Sequence, residues 1–212
     1  MISRKDSNVT HVWSAYWRQY SGVTRIGGWS QQQAIKSTAS VIRQEKISHR
    51  STIVDIGCGE GRTLVTLRKW GFKNSIGIDS TRESLAICRK KGLRINRDVF
   101  LMNALKTPYT RAAYDVVFSE GLIEHFENPM PLIREMCRIS RKYILLIQPN
   151  HYSVYGRLLA VVGHAVRNNV TEYSYPTGFF RKRFGMYGFK LKRMAYTRFR
   201  EFFILLFERD GH

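Results

Sequence analysis

The stretch from Ser51 to Leu64, STIVDIGCGEGRTL, constrains this chain more than any other. An apolar run enters a carboxylate at Asp55 and then meets three glycines at alternate positions, Gly57, Gly59 and Gly61. Thr52 to Ile56 is short, β-branched and leaves no room for surface polarity, which predicts a central buried strand. A loop following such a strand lies at the carboxyl edge of a parallel sheet, where ligands bind at the topological switch. Gly57 and Gly59 allow backbone conformations and a close ligand approach that a Cβ forbids. The dinucleotide fingerprint, G-x-G-x-x-G, requires its third glycine where this chain has Arg62. Asp55 beside a pyrophosphate would be repulsive, so the ligand is expected to be cationic at that end.

Strand and helix signals alternate from about residue 51 to 149, the pattern of a parallel sheet with crossover helices. RTLVTLRKWG predicts a helix ended by Gly71, and NSIGID a second strand. STRESLAICRKKG predicts a helix opened by a Ser80–Glu83 capping box and closed at Gly92. RDVFLMNA and YDVVFSEG predict the third and fourth strands. NPMPLIREMCRIS predicts a helix with Leu132, Ile133, Met136, Cys137 and Ile139 on its apolar side. KYILLIQPN predicts a fifth strand stopped at Pro149. Beyond it, HYSVYGRLLAVVGHAVRNN has the spacing of an amphipathic helix, and FKLKRMAYTRF and REFFILLFERD predict two final strands. In front, HVWSAYWRQY and QQQAIKSTASVIRQE predict two leading helices.

A second acid, Asp79, closes the second strand twenty residues after Gly59. A carboxylate there can accept both hydroxyls of a ribose. Adenosine carrying a positively charged amino-acid arm satisfies both acids, which describes S-adenosyl-L-methionine. VDIGCGEG, IGIDSTRESL and YDVVFSEGLIEHF together resemble the signature segments of class I S-adenosylmethionine-dependent methyltransferases of the small-molecule type, over roughly residues 50 to 150. The resemblance implies an α/β fold: a three-layer Rossmann-like sandwich with a seven-stranded, mostly parallel sheet, an antiparallel last strand and helices on both faces. The expected organisation is a single domain over 1–212, with a helical lid at 1–49, a cofactor-binding core at 50–149, a substrate-side insertion at 150–180 and terminal strands at 181–212.

The resemblance also assigns roles. Gly57, Cys58 and Gly59 pass along the methionine arm, and Asp55 helps to hold its ammonium. Asp79 takes the ribose hydroxyls, with Ser80 beside it. Asn103 and Ala104 stand where the family has an acidic–small pair near the adenine, so an amide replaces the usual acid. Ser119 and Glu120 line the reactive end. Methyl transfer from a sulfonium is an in-line displacement, in which positioning the nucleophile and excluding water account for ~7–11 kcal/mol of barrier. A general base matters only when the nucleophile arrives protonated. His125, His151 and Tyr152 are the candidate catalytic residues. Tyr155, Tyr173 and Tyr175 are candidate pocket walls. Val12, Trp13, Tyr16 and Trp17 form an aromatic face that either covers the cofactor as a lid or docks on the core. SEGL after the fourth strand is not the Asn/Asp-Pro-Pro-aromatic motif of methyltransferases acting on exocyclic base nitrogens, and no catalytic cysteine pair points to pyrimidine C5 methylation.

Three cysteines, Cys58, Cys88 and Cys137, form no CxxC pair and no disulfide framework, so no metal site is expected. No stretch approaches the ~20 apolar residues of a membrane span, and the N-terminus lacks the apolar core of a signal peptide, so a cytoplasmic protein is expected. The net charge is +19, and Arg181 to Arg200 carries eight Lys or Arg and no acid. Such a field attracts nucleic acid, anionic lipid headgroups or phosphorylated substrates, or is simply a solvated basic face. The leading expectation is methyl transfer to a small or medium-sized acceptor, anionic or lipid-like. The rivals are a nucleic-acid methyltransferase stacking bases on Phe184, Tyr187, Phe189, Tyr196 and Phe199, a peripheral membrane enzyme using the helix after the fifth strand with Arg157 and Arg167 toward headgroups, and a protein that uses S-adenosylmethionine without methylating. Acceptor and oligomeric state are not legible.

Overall fold

The computed structural model describes residues 4–19, 25–158, 161 and 172–211. Two helices lead, α1 (Arg4–Gln19) and α2 (Arg25–Gln44). The alternating core follows: β1 (Ile53–Ile56), α3 (Arg62–Lys69), β2 (Ser75–Asp79), α4 (Arg82–Lys90), β3 (Val99–Leu101), β4 (Tyr114–Glu120), α5 (Met130–Ile139) and β5 (Ser140–Pro149). A last helix, α6 (Thr177–Gly185), precedes β6 (Phe189–Tyr196) and β7 (Phe202–Arg209).

The seven strands form one sheet in the order β3-β2-β1-β4-β5-β7-β6. All strands run parallel except β7, which is antiparallel to both β5 and β6. This is the expected Rossmann-like arrangement. The chain visits the sheet edge with β6 before it turns back into the gap with β7, and composition explains why. After the buried Phe189, FKLKRMAY alternates exposed and half-buried positions, which suits an edge strand with one solvated face. Phe203 to Phe207 is five consecutive buried residues, which only an interior strand can hide. β1 is buried along its whole length between β2 and β4, so the loop after it opens where the strand order reverses.

Two apolar layers close the sandwich. On one face Val54, Ile56 and Ile78 pack with Leu132, Ile133 and Met136 of α5 and with Phe180 and Phe184 of α6. On the other, Ile53, Val116 and Phe118 pack with Ala34, Val41 and Ile42 of α2 and with Leu67 of α3. The apolar side expected of α5 is buried in full, and it also carries Glu135. That acid is tolerated because Arg138 and the Thr107 N–H and hydroxyl all donate to it.

The start of α4 departs from the sequence reading. Its N-cap is Thr81 rather than Ser80, and Glu83 does not reach back to form a capping box. Asp79 takes that place: its Oδ1 accepts the Thr81 N–H at 2.9 Å and the Thr81 hydroxyl at 2.8 Å. Glu83 instead pairs with Arg18 of α1 at 2.9 Å. The amphipathic helix expected after β5 begins as a turn at 151–153 and is helical at 154–158 and at 161; residues 159–160 and 162–169, with Arg167, lie outside the described residues.

Candidate active site

The glycine loop is built by three positive-φ residues, Gly57 at 72°, Gly59 at 50° and Gly61 at 72°. Its backbone is tied to the neighbouring strand: the Gly57 and Cys58 N–H groups both donate to the Ile78 carbonyl at 2.9 Å, and the Gly59 N–H donates to Asp79 Oδ2 at 3.0 Å. A Cβ at Gly57 would stand 2.9 Å from the Leu122 side chain, and one at Gly59 would stand 2.9 Å from the Trp17 ring. The loop is therefore a backbone surface with side chains closing over it, as a ligand cradle requires.

Asp55 lies beneath this loop and is only 2% exposed. Its Oδ2 has no hydrogen-bond partner among the described residues. Burial raises its pKa well above the ordinary carboxylate range, the negative charges of Glu120 and Asp79 raise it further, and Arg62 opposes them. A buried carboxylate surrounded by like charge is costly unless a cation joins it. This donor set fits the ammonium of an amino-acid arm.

Asp79 sits at the end of β2 and accepts three hydrogen bonds, from Gly59 and twice from Thr81. A carboxylate has about four acceptor sites, so the loop clip and the helix start leave room for a hydroxyl. Ser80 beside it is exposed. Asn103 lies on the same edge, because the Met102 N–H donates to the Asp79 carbonyl. Its Oδ1 accepts the Leu105 N–H at 2.8 Å, which leaves the amide NH₂ to face outward, and Ala104 is half-buried next to it. Ser119 is fully buried and its hydroxyl donates to the Ile56 carbonyl at 3.2 Å, so it joins β4 to β1 from within. Glu120 at the end of β4 is held by Arg62 at 2.9 Å and by the Thr63 hydroxyl at 2.5 Å. Arg62 and Thr63 have no signal in the sequence beyond standing at the head of α3. The Cys58 thiol, in contact with Cys88 and buried, is held protonated far above the usual thiol range, so it offers no nucleophile.

The candidate bases follow β4 and β5 in the chain. His125 ends a 3₁₀ turn, Ile123–His125, is buried, and meets Trp13 of α1 edge-on at 4.7 Å. His151 follows β5, with Nδ1 2.5 Å from Ser174 Oγ and Nε2 3.4 Å from Glu172. The Tyr173 N–H donates to the Glu124 carbonyl at 2.6 Å, so the loop that holds His151 is anchored to the turn that carries His125. Glu172 and Ser174 sit in a polar aromatic loop whose sequence gives no hint of this role. Tyr152 is 60% exposed, and the Tyr175 hydroxyl donates to the Phe126 carbonyl at 2.6 Å.

Residues 54–146 match a family model described as a methyltransferase domain. This segment, somewhat less than half of the chain, is similar to methyltransferase domains. The chain is 30% identical over 103 residues to ajmaline N-methyltransferase of Rauvolfia serpentina, covering 47% of this chain and 35% of that protein. It is also 30% identical over 95 residues to the tRNA (carboxymethyluridine(34)-5-O)-methyltransferase alkbh8 of Xenopus tropicalis, covering 43% and 14%. The chain thus spans about a third or less of the length of these two curated relatives. Across nearly the whole chain the fold is similar to that of magnesium protoporphyrin IX methyltransferase from Synechocystis with bound SAH, with a TM-score of 0.75 at 18% identity, covering 96% of this chain and 99% of that one. No described helix is long and apolar enough to cross a membrane.

Proposed function

We propose that this chain binds S-adenosyl-L-methionine in the glycine cradle and transfers its methyl group to a small or medium-sized acceptor entering beside β4 and β5. The observation that carries the reading is Asp55, a buried carboxylate with an unpartnered oxygen under a positive-φ glycine loop. When bound, the cofactor supplies a methyl group already activated on a sulfonium. The chain's own residues bind, orient and shield. Asp55 pairs with the ammonium, and Asp79 accepts a ribose hydroxyl while it keeps the loop and α4 in place. Asn103 donates its amide to the adenine edge. Glu120, fixed by Arg62 and Thr63, adds negative potential at the mouth, which favours a cationic ligand. Trp13 and Trp17 of α1 cover the cradle and keep water from it. Glu172 faces Nε2 of His151 and leaves Nδ1 as the basic nitrogen, so a proton from a protonated acceptor passes to the Ser174 oxygen while the Ser174 hydroxyl gives its own to Nδ1. His125, packed on Trp13, shapes the wall between the two sites.

Calorimetric titration with S-adenosylhomocysteine tests the cofactor reading. The wild type binds it, and Asp79→Ala, still folded by circular dichroism, weakens binding at least roughly ten-fold, the loss of a hydrogen bond to a charged group. Equal affinity in a folded Asp79→Ala protein would place the ribose elsewhere.

A further inference from the structure

Beyond the cradle, one surface stands out among the described residues. Val154, Leu158 and Val161 stand at helical i, i+4, i+7 spacing and are 80%, 56% and 70% exposed. Tyr152, just before them, is 60% exposed. A soluble face does not ordinarily leave an aliphatic stripe of this kind uncovered. The stripe is continuous with a cationic turn, because Tyr155 packs on Phe199 at 5.0 Å in the β6–β7 connection. Phe199 is itself 46% exposed and is flanked by exposed Arg198 and Arg200, whose guanidinium groups lie over Phe199 at 5.8 Å and over Tyr196 at 5.2 Å. Arg157 adds a further exposed cation within the stripe. The acids next to this surface are turned inward: Glu201 is 1% exposed and accepts the Thr197 hydroxyl at 2.6 Å, and Glu172 is engaged by His151. From 151 to 171 the sequence has no Asp or Glu.

From this surface we infer that the face formed by Tyr152, Val154, Leu158 and Val161, rimmed by Arg157, Arg198 and Arg200, docks on an anionic lipid bilayer. Aliphatic side chains gain from insertion at the headgroup–acyl boundary, and cations beside them gain from anionic headgroups. RNA would exploit the arginines but would leave Val154, Leu158 and Val161 without a counterpart, since base stacking calls for planar side chains. The basic residues of β6 are not part of this rim, because Lys190, Lys192 and Arg193 are already paired with Asp210, Glu208 and Glu45. The docking rests on the surface alone. Where methyl transfer holds as well, it names the acceptor class: an amphipathic molecule dissolved in the bilayer, reaching His151 from the membrane side.

Co-sedimentation of the full chain with vesicles tests this without any turnover, so failure here leaves the reading of the cradle untouched. The protein is expected to pellet with phosphatidylcholine vesicles containing phosphatidylglycerol, and not with phosphatidylcholine alone. Arg198→Ala and Arg157→Ala each lower the partition coefficient roughly five-fold. Val154→Glu with Leu158→Glu, both at exposed positions, abolishes pelleting while circular dichroism and S-adenosylhomocysteine affinity stay unchanged. Absence of binding to anionic vesicles overturns the proposal, as does binding that the glutamate pair leaves intact. Salt-sensitive retention of a homopolymeric RNA without vesicle binding would assign the arginines to nucleic acid instead.

Discussion

Asp55 is where sequence, energetics and function meet at the scale of one residue. Its folded-state pKa is raised, by burial first and by Glu120 and Asp79 next. A raised carboxylate pKa means the native state holds its proton longer than the unfolded chain, which releases it near pH 4. Stability therefore falls as pH climbs from about 4 through the raised value, and the cost is complete above it. Asp55→Asn removes this cost. The variant is expected to be more stable than the wild type at neutral pH by about 1–3 kcal/mol, the cost of an unsatisfied buried group. The gain should vanish below about pH 4, where both folded and unfolded wild type carry the proton. Thermal melts across that range check it; a variant less stable than the wild type at neutral pH would show that Asp55 is already compensated inside the fold. Asp79 shows the opposite economy. Its oxygens hold the loop and the helix start together, and the acceptor capacity left over is what the proposed ribose hydroxyl would use.

At the scale of elements, α1 is the piece whose role was left open by its pattern alone. An aromatic face at helical spacing reads the same whether it docks or covers. The structure puts the Trp17 ring against the Gly59 backbone, Trp13 against His125, and Arg18 on Glu83 of α4. A ligand entering the cradle must therefore change the surroundings of Trp17. Intrinsic fluorescence is expected to shift on adding S-adenosylhomocysteine, and Trp17→Ala is expected to remove most of that shift and weaken binding about two- to ten-fold, the value of an aromatic contact. An unaltered shift and affinity in Trp17→Ala would make α1 a packing helix only. The strands were legible for a different reason: continuous apolar runs at β1 and β7 can be satisfied only in a sheet interior. The α4 boundary was not, because Ser80 and Glu83 satisfy a local capping rule that a distant partner, Arg18, and a preceding carboxylate, Asp79, override.

For the whole molecule, order along the chain carried the fold. Alternating strand and helix signals already imply a parallel sheet with crossover helices, and the resemblance adds the antiparallel last strand; the sheet observed has both, with that strand set between β5 and β6. The geometry of the glycine cradle was equally readable, since Asp55, the glycines and Asp79 are adjacent in sequence or close a strand. The surroundings of the candidate base were not, since His151 meets Glu172 and Ser174 across a loop with no periodicity, nor was the pair in which Arg62 reaches Glu120 from 58 residues away. The net charge of +19 behaves likewise: much of β6 is neutralised by Glu45, Glu208 and Asp210, while exposed cations remain at residues 157 and 198–200 and elsewhere on the surface, Arg43, Lys73, Lys90 and Arg181 among them. The most direct test of the cradle is a cycle between Asp55 and the ligand's amino group. Calorimetry would compare S-adenosylhomocysteine with its des-amino analogue on the wild type and on Asp55→Asn. The expected result is a loss of roughly ten- to a hundred-fold for either change alone, with no further loss when both are made. Independent, multiplying losses would contradict the pairing of Asp55 with the ammonium and remove the foundation of the cofactor assignment.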